Sequence, residues 1–313
     1  MKFFPAFSSL IIISFFALPA IASTKNTTQQ GTGRPQAGWS TVVRGGAVYQ
    51  FDTDLDEGGG YNSGRYNVEV GQSYAWTRRD TVTLTLSYSL ESYDFSDGQS
   101  DGIAFGTPWE NIHTFSLSTP LRKGIGDGWT AFLIPSIRST GESGAEFSET
   151  ITGGGFTGIS YRFSDRLTIG PGIGVFSQLE ESASIFPVLI VNWKITDKIS
   201  LETGRGLAAT LGPGLTLSYK ATPKLRLGIG GRYEKLRFRL DKDGTVAGGI
   251  GEDSSFPLFA NCTYSINRKT SISLVGGMET GGELKIENSK GHKIIEESSD
   301  PGVFTGITFS GRF

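Results

Sequence analysis

The chain has 313 residues, with 29 Lys and Arg against 31 Asp and Glu, 44 Gly, 12% aromatics, 2 Met and 1 Cys. A formal charge of −2 offers no broad basic surface and argues against nucleic acid as a partner. A single cysteine, Cys262, excludes an internal disulfide, and no apolar run beyond the first 22 residues reaches the roughly 20 residues that a transmembrane helix needs.

At the N-terminus, Lys2 precedes an apolar stretch from Leu10 to Leu18, then Pro19 and the small-residue site Ala20-Ile21-Ala22. This is the anatomy of a secretory signal peptide over residues 1–22. Ser23 follows the expected cut, so no cysteine is available for a lipid anchor. Residues 23–38 read as a flexible segment and residues 39–313 as one repetitive β domain.

From there the sequence alternates at period two. Trp39–Phe51 is the first run. In the second, Tyr66, Val68, Val70, Tyr74 and Trp76 face one way and Asn67, Glu69, Gly71 and Ser73 the other. The third, Thr81–Glu91, sets Val82, Leu84, Leu86, Tyr88 and Leu90 against Thr83, Thr85, Ser87, Ser89 and Glu91. The pattern recurs at Asn111–Thr119, Trp129–Arg138, Thr152–Phe163, Leu167–Phe176, Ile185–Lys194, Lys198–Thr203, Leu211–Tyr219, Leu225–Glu234, Phe256–Ile266, Ser271–Met278 and Gly302–Phe313. These make about 14 strands. Twelve is the alternative, because Lys198–Thr203 is short and Ile185–Lys194 is apolar on both faces.

The connections alternate between short turns such as Arg78–Asp80 and long segments such as Asp52–Ser63, Lys235–Ser255 and Glu279–Pro301. A transmembrane barrel inserted from the periplasm has short turns on that side and longer loops outside. Trp39, Trp76, Trp129, Trp193, Tyr219 and Tyr264 fall at the short-turn ends of their strands, where an aromatic girdle belongs. The expected fold is therefore all-β, a transmembrane antiparallel up-and-down β-barrel.

The last strand puts Val303, Thr305, Ile307, Phe309 and Phe313 on one face and ends on an aromatic. It resembles the C-terminal insertion signal of bacterial outer-membrane β-barrels, with Ile307, Phe309 and Phe313 as its bearers. That resemblance implies a Gram-negative outer membrane as the location. It also implies the barrel-assembly machinery, outer-membrane lipids and lipopolysaccharide as partners. It does not extend to a characterised transporter, porin or enzyme family.

If the aliphatic faces meet lipid, the opposite faces line a lumen. The candidates there are Arg44, Glu69, Glu91, Arg162, Glu202, Lys220, Arg226, Arg232, Glu234, Glu279 and Arg312. Arg or Lys on the lipid face at mid-bilayer would cost about 2–4 kcal/mol each, so these residues belong inside. A barrel of about 8 strands is filled by side chains and one of 16–18 holds an aqueous channel. Fourteen strands thus predict a narrow passive passage for small hydrophilic solutes, with no strong ion selectivity from six basic and five acidic residues. A barrel closed by ion pairs, binding ions, lipopolysaccharide or another surface through its acidic loops, is the alternative.

Asp52, Asp54 and Asp56 have the alternate spacing of calcium loops, but Glu57 stands where such a loop turns on glycine and Ser63 where it closes with glutamate. They remain weak divalent-cation candidates, and Asp94, Asp97 and Asp101 are read in the same way. A barrel hydrolase would need His113 or His292. His113 shares the lipid face of Phe115, whereas Ser116 lies on the other face, so that strand holds no Ser–His pair. No enzyme activity and no cofactor are expected.

Overall fold

The structure is a computed structural model that describes residues 37–96, 107–205 and 213–313. The expected signal peptide, the N-terminal segment up to residue 36, and Asp97 and Asp101 lie outside the described residues. The strands are β1 (Gly38–Asp54), β2 (Gly60–Ala75), β3 (Thr81–Ser96), β4 (Asn111–Ser118), β5 (Leu121–Gly124), β6 (Trp129–Glu142), β7 (Ile151–Arg162) and β8 (Leu167–Gln178). They continue as β9 (Glu181–Lys194), β10 (Ile199–Arg205), β11 (Pro213–Lys220), β12 (Leu225–Arg232), β13 (Glu234–Arg239), β14 (Ile250–Ser265), β15 (Thr270–Glu287), β16 (Lys293–Ser299) and β17 (Gly302–Arg312).

All described strands join one 17-stranded sheet. β4 and β5 share one place in the wall, since both pair with β3 and β6. β12 and β13 share another against β14, and β16 pairs with β15 beyond the wall. The wall therefore has 14 strands, and β17 closes it by pairing with both β15 and β1. Closure leaves no open edge, which in lipid would expose unpaired N–H and C=O groups at several kcal/mol each.

The phase of the strands follows the alternation in sequence. Leu86, Ile229 and Leu274 are 60%, 60% and 61% exposed on the outside, whereas Thr85 and Ser273 beside them are each 6% exposed, facing inward. An outer surface of exposed aliphatic side chains, rimmed by Trp39, Trp76, Trp129, Trp193, Tyr219 and Tyr264 at the short-turn end, is the surface of a protein embedded in the bacterial outer membrane.

β9 is apolar on both faces for a local reason. Its inner residues Val188 and Ile190 join Phe132, Ile134 and Phe156 in a cluster on the inside of the wall. Gly158 and Gly172 make room for it: a Cβ at either would come within 2.7 and 3.0 Å of the Phe132 ring.

Among the described residues, several of the expected long outer segments are partly strand. β1 and β2 run on to a turn at residues 55–59, and β8 and β9 pair as far as Gln178 and Glu181, leaving only Leu179 and Glu180 between them. Charged residues on both faces hide the alternation there. β14 and β15 pass through a register shift between Ser254 and Phe256 and continue outward as an extended pair.

Candidate functional site

Beyond that register shift, β13, the outer halves of β14 and β15, and β16 make a four-stranded sheet. It bends away from the wall across the outer mouth. Arg239 at the end of β13 pairs with Gly141 at the end of β6, although β7 to β11 lie between their wall positions. Further contacts fasten this lid to the far rim. The Asp241 N–H donates to Glu142 (2.9 Å), Arg237 Nε donates to the Leu179 carbonyl (2.9 Å), and Arg239 Nη2 donates to Glu180 (2.7 Å). Glu180 adopts φ 52°, a conformation costly for a residue with a side chain, in the turn the lid grips. On the opposite flank Leu55 bridges Ser299, tying β16 to the tip of β1.

Under the lid is an apolar core. Phe238, Leu240, Leu284 and Ile286 from the lid meet Leu55, Tyr61, Tyr93, Trp109 and Ile112 from the wall and its loops. Trp109 stands edge-on to Phe238 at 5.1 Å and is 1% exposed. The lid is thus held by burial as well as by hydrogen bonds, and the Trp109 indole N–H finds no acceptor among the described residues.

Deeper in the lumen, Arg65 projects from β2 into a ring of carboxylates. It grips Glu279 with both terminal nitrogens, one at 3.0 Å, and stands 3.4 Å from Glu234, 3.6 Å from Glu91 and 3.8 Å from Asp253. Arg232 binds Glu234 and lies 5.3 Å from the centre of the Phe259 ring. The Tyr93 hydroxyl donates to Asp253 (2.7 Å), and Gln50 accepts from Arg65 (3.2 Å). The network crosses the barrel interior, since β2 and β3 supply one side and β12 to β15 the other.

The expected lumen residues divide by height. Glu91, Arg232, Glu234 and Glu279 gather at Arg65, and Arg44 pairs with Glu69 directly across the β1–β2 ladder. Arg162, Glu202, Lys220, Arg226 and Arg312 lie toward the short-turn end on the same inward phase and take no part in that network. The carboxylates have been drawn upward, and the lower half of the lumen holds mostly cations. Arg65 and Asp253 are not among the sequence candidates, because Asp253 falls in the segment Lys235–Ser255 read as a loop and Arg65 lies between the loop Asp52–Ser63 and the run that starts at Tyr66. Arg122 and Arg138 were missed for the same kind of reason, one lying in a turn and the other at the last residue of an expected strand.

His113 faces outward as expected, and Ser116 lies on the inward phase. His113 nevertheless has a serine partner from elsewhere. Its Nε2 lies 3.0 Å from Ser143 Oγ in the loop after β6, and its Nδ1 lies 2.9 Å from the Tyr88 hydroxyl. His292 forms part of the β15–β16 turn, its N–H donating to Asn288 (3.1 Å). Asp52 accepts from Asn62 (2.9 Å), and among the described residues no three His, Cys, Asp or Glu side chains converge as a metal site. Ile307, Phe309 and Phe313 are exposed on the outer face, and the Phe313 N–H donates to the Thr41 carbonyl (2.8 Å), seating the last residue against the first strand.

Solved structures are similar to this chain over most of its length at low identity. The COG4313 outer membrane channel from Pseudomonas putida F1 is 12% identical, with 92% of this chain and 100% of that chain covered at a TM-score of 0.45. A Pseudomonas aeruginosa FadL homologue is also 12% identical, with 87% and 90% covered at 0.46. The KdgM porin in complex with disordered oligogalacturonate is 7% identical, with 86% and 97% covered at 0.34. A comparison with the curated proteins gives no match. Residues 129–311, from β6 to the last strand, match the family described as "Domain of unknown function (DUF6268)", and the chain belongs to that family.

Proposed function

We propose that the protein is a gated outer-membrane channel for small hydrophilic solutes, with the lid over its outer mouth closed in the arrangement described. The observation that carries this reading is the Arg239–Gly141 pairing. It places a sheet continuous with one side of the wall across a lumen lined by charge, and fastens it to the opposite rim by a few polar contacts. Below a detachable cover, the inward Ser, Thr, Arg and Glu that flank the apolar cluster of Phe132, Ile134, Phe156, Val188 and Ile190 offer polar solutes a path.

The test is planar-bilayer conductance of the folded protein and of a Phe238→Ala/Arg239→Ala variant. Low conductance in the first and frequent openings in the second support the channel. A folded, inserted variant that passes neither ions nor small sugars overturns it and favours a closed surface barrel acting through its acidic outer segments.

A second reading, a lipid-facing hydrolase, is favoured by the Ser143–His113–Tyr88 chain on the outer side of β4. A nucleophile–base contact of this length is what acyl transfer uses. Fatty-acid release from phospholipid micelles that disappears in Ser143→Ala would establish it. No release from the wild type leaves the chain as a tie between a loop and the barrel.

A further inference from the structure

The lower half of the lumen carries charge that the fold does not neutralise. Arg122, Arg162, Lys220, Arg226 and Arg312 occupy the inward phase of β5, β7, β11, β12 and β17, close to the short turns or the C-terminus. Among the described residues none has a carboxylate partner within salt-bridge distance; Arg312 reaches only the Ser40 hydroxyl, at 3.4 Å. The facing acid at this level is Glu202, whose register neighbours are Asn192 and Thr216.

Two features show that this arrangement opposes folding. Lys220 and Arg226 are directly opposite on the β11–β12 ladder and so point to the same side, where like charges destabilise a sheet. Arg122 and Arg162 lie near enough to repel, and the half-buried Arg122 leaves its Nε without a hydrogen-bond partner. Elsewhere in this lumen opposite charges are paired, at Arg44–Glu69 and in the Arg65 network. Charge of one sign within low-dielectric walls focuses the field and concentrates counter-ions of the other sign.

We infer that the periplasmic half of the lumen is a binding vestibule for small polyanionic solutes, bearing carboxylate, phosphate or sulfonate groups, held by Arg162, Lys220 and Arg226. The inference deepens the channel reading by naming its solute class. Anionic lipid headgroups share this chemistry, but these five side chains face the lumen; the turn residues Arg78, Arg268 and Lys269 are the ones placed to meet lipid.

The test is binding of the trisulfonate dye pyranine to folded protein in nonionic micelles, read by fluorescence anisotropy, with heat-dependent gel mobility as the folding check. The expected result is saturable binding that weakens with salt and falls at least about tenfold in Arg162→Gln/Lys220→Gln/Arg226→Gln, since charge attraction is screened by salt. The Arg78→Gln/Arg268→Gln/Lys269→Gln protein, which loses equal charge outside the lumen, should bind as wild type. Absent binding, or equal loss in both triple variants, overturns the inference. Should the lumen triple fail to fold, Lys220→Gln alone removes one half of a repelling pair and should still bind several-fold more weakly; unchanged binding then overturns the inference. Binding without conductance defeats only the channel reading, and conductance without binding only this one.

Discussion

Arg239 and Gly141 are ladder partners across the barrel mouth, and Gly141 is glycine for a reason of space. A Cβ there would come within 2.6 Å of Thr150 and 3.1 Å of Ala145. Nearby, Gly144 adopts φ +92° with the Asp241 carboxylate at its back, where a Cβ would fall 2.4 Å from an oxygen. Gly144→Val should therefore push Asp241 and the lid off the rim while leaving the wall intact. Bilayer recordings should show a higher open fraction than wild type with unchanged gel mobility; an unchanged open fraction would dissociate the lid from conduction.

Arg65 holds carboxylates that repel one another without it. Arg65→Met leaves Glu91, Glu234, Asp253 and Glu279 facing each other with Arg232 as the remaining cation of the network, and loss of one partner from a buried ionic network costs about 3–5 kcal/mol. The urea midpoint in lipid vesicles should fall accordingly. Glu279→Gln, which keeps an acceptor for Arg65 and Ser255, should cost much less.

Carboxyl groups on the lid and on the rim it grips predict a stability with two limbs in pH. Burial pushes Glu297 and Glu142 above the ordinary glutamate value of 4.5, so the closed lid binds more protons than the open one and gains stability as pH falls toward that value. Below it the sign reverses. A hydrogen bond from Lys293 holds Glu296 low; burial raises Glu287, but bonds from Arg237 and Lys285 outweigh it, so these contributions are lost as pH falls through the depressed range. Amide protection of residues 283–287 and 293–299 by hydrogen exchange should therefore peak at mildly acidic pH. A monotonic profile would contradict the assignment.

The inside–outside phase can be checked at adjacent residues. Leu86→Arg places a cation in lipid and should cost about 2–4 kcal/mol, whereas Ser87→Arg points inward beside its ladder partner Glu69 and should cost well under that. Equal losses in vesicle unfolding would mean that β3 is phased wrongly.

What could be read from the sequence follows from what imposes alternation. Where one face of a strand meets lipid, as at Leu84, Leu86 and Leu90 on β3, period two is forced and the strand is visible. Above the membrane that constraint lapses. Lys235, Arg237 and Arg239 alternate with Leu236 and Phe238, but the charged face turns to the rim and to Glu252 and Glu287 rather than to a lumen, and the segment resembles a loop. The lid was therefore invisible, and with it Asp253. Arg65 was hidden by its neighbours Gly64 and Ser63, which look like turn residues yet sit in mid-strand beside Tyr49 and Gln50. The alternation gives the phase of the charged set. Which of its members pair is not legible, because Arg65, Glu234 and Glu279 are brought together only by closure of the ring.

Because β13 follows β12 after the single residue Tyr233, and the outer halves of β14 and β15 are the same strands that build the wall, the lid has no slack linker on which to swing. Opening must release the Arg239–Gly141 pairing, the Glu180 and Glu142 contacts and the Trp109–Phe238 core together, and no intermediate retains half of them cheaply. Single-molecule current traces should accordingly move in discrete, long-lived steps with a steep temperature dependence, in contrast to the brief flicker of a pore constricted by a loose loop.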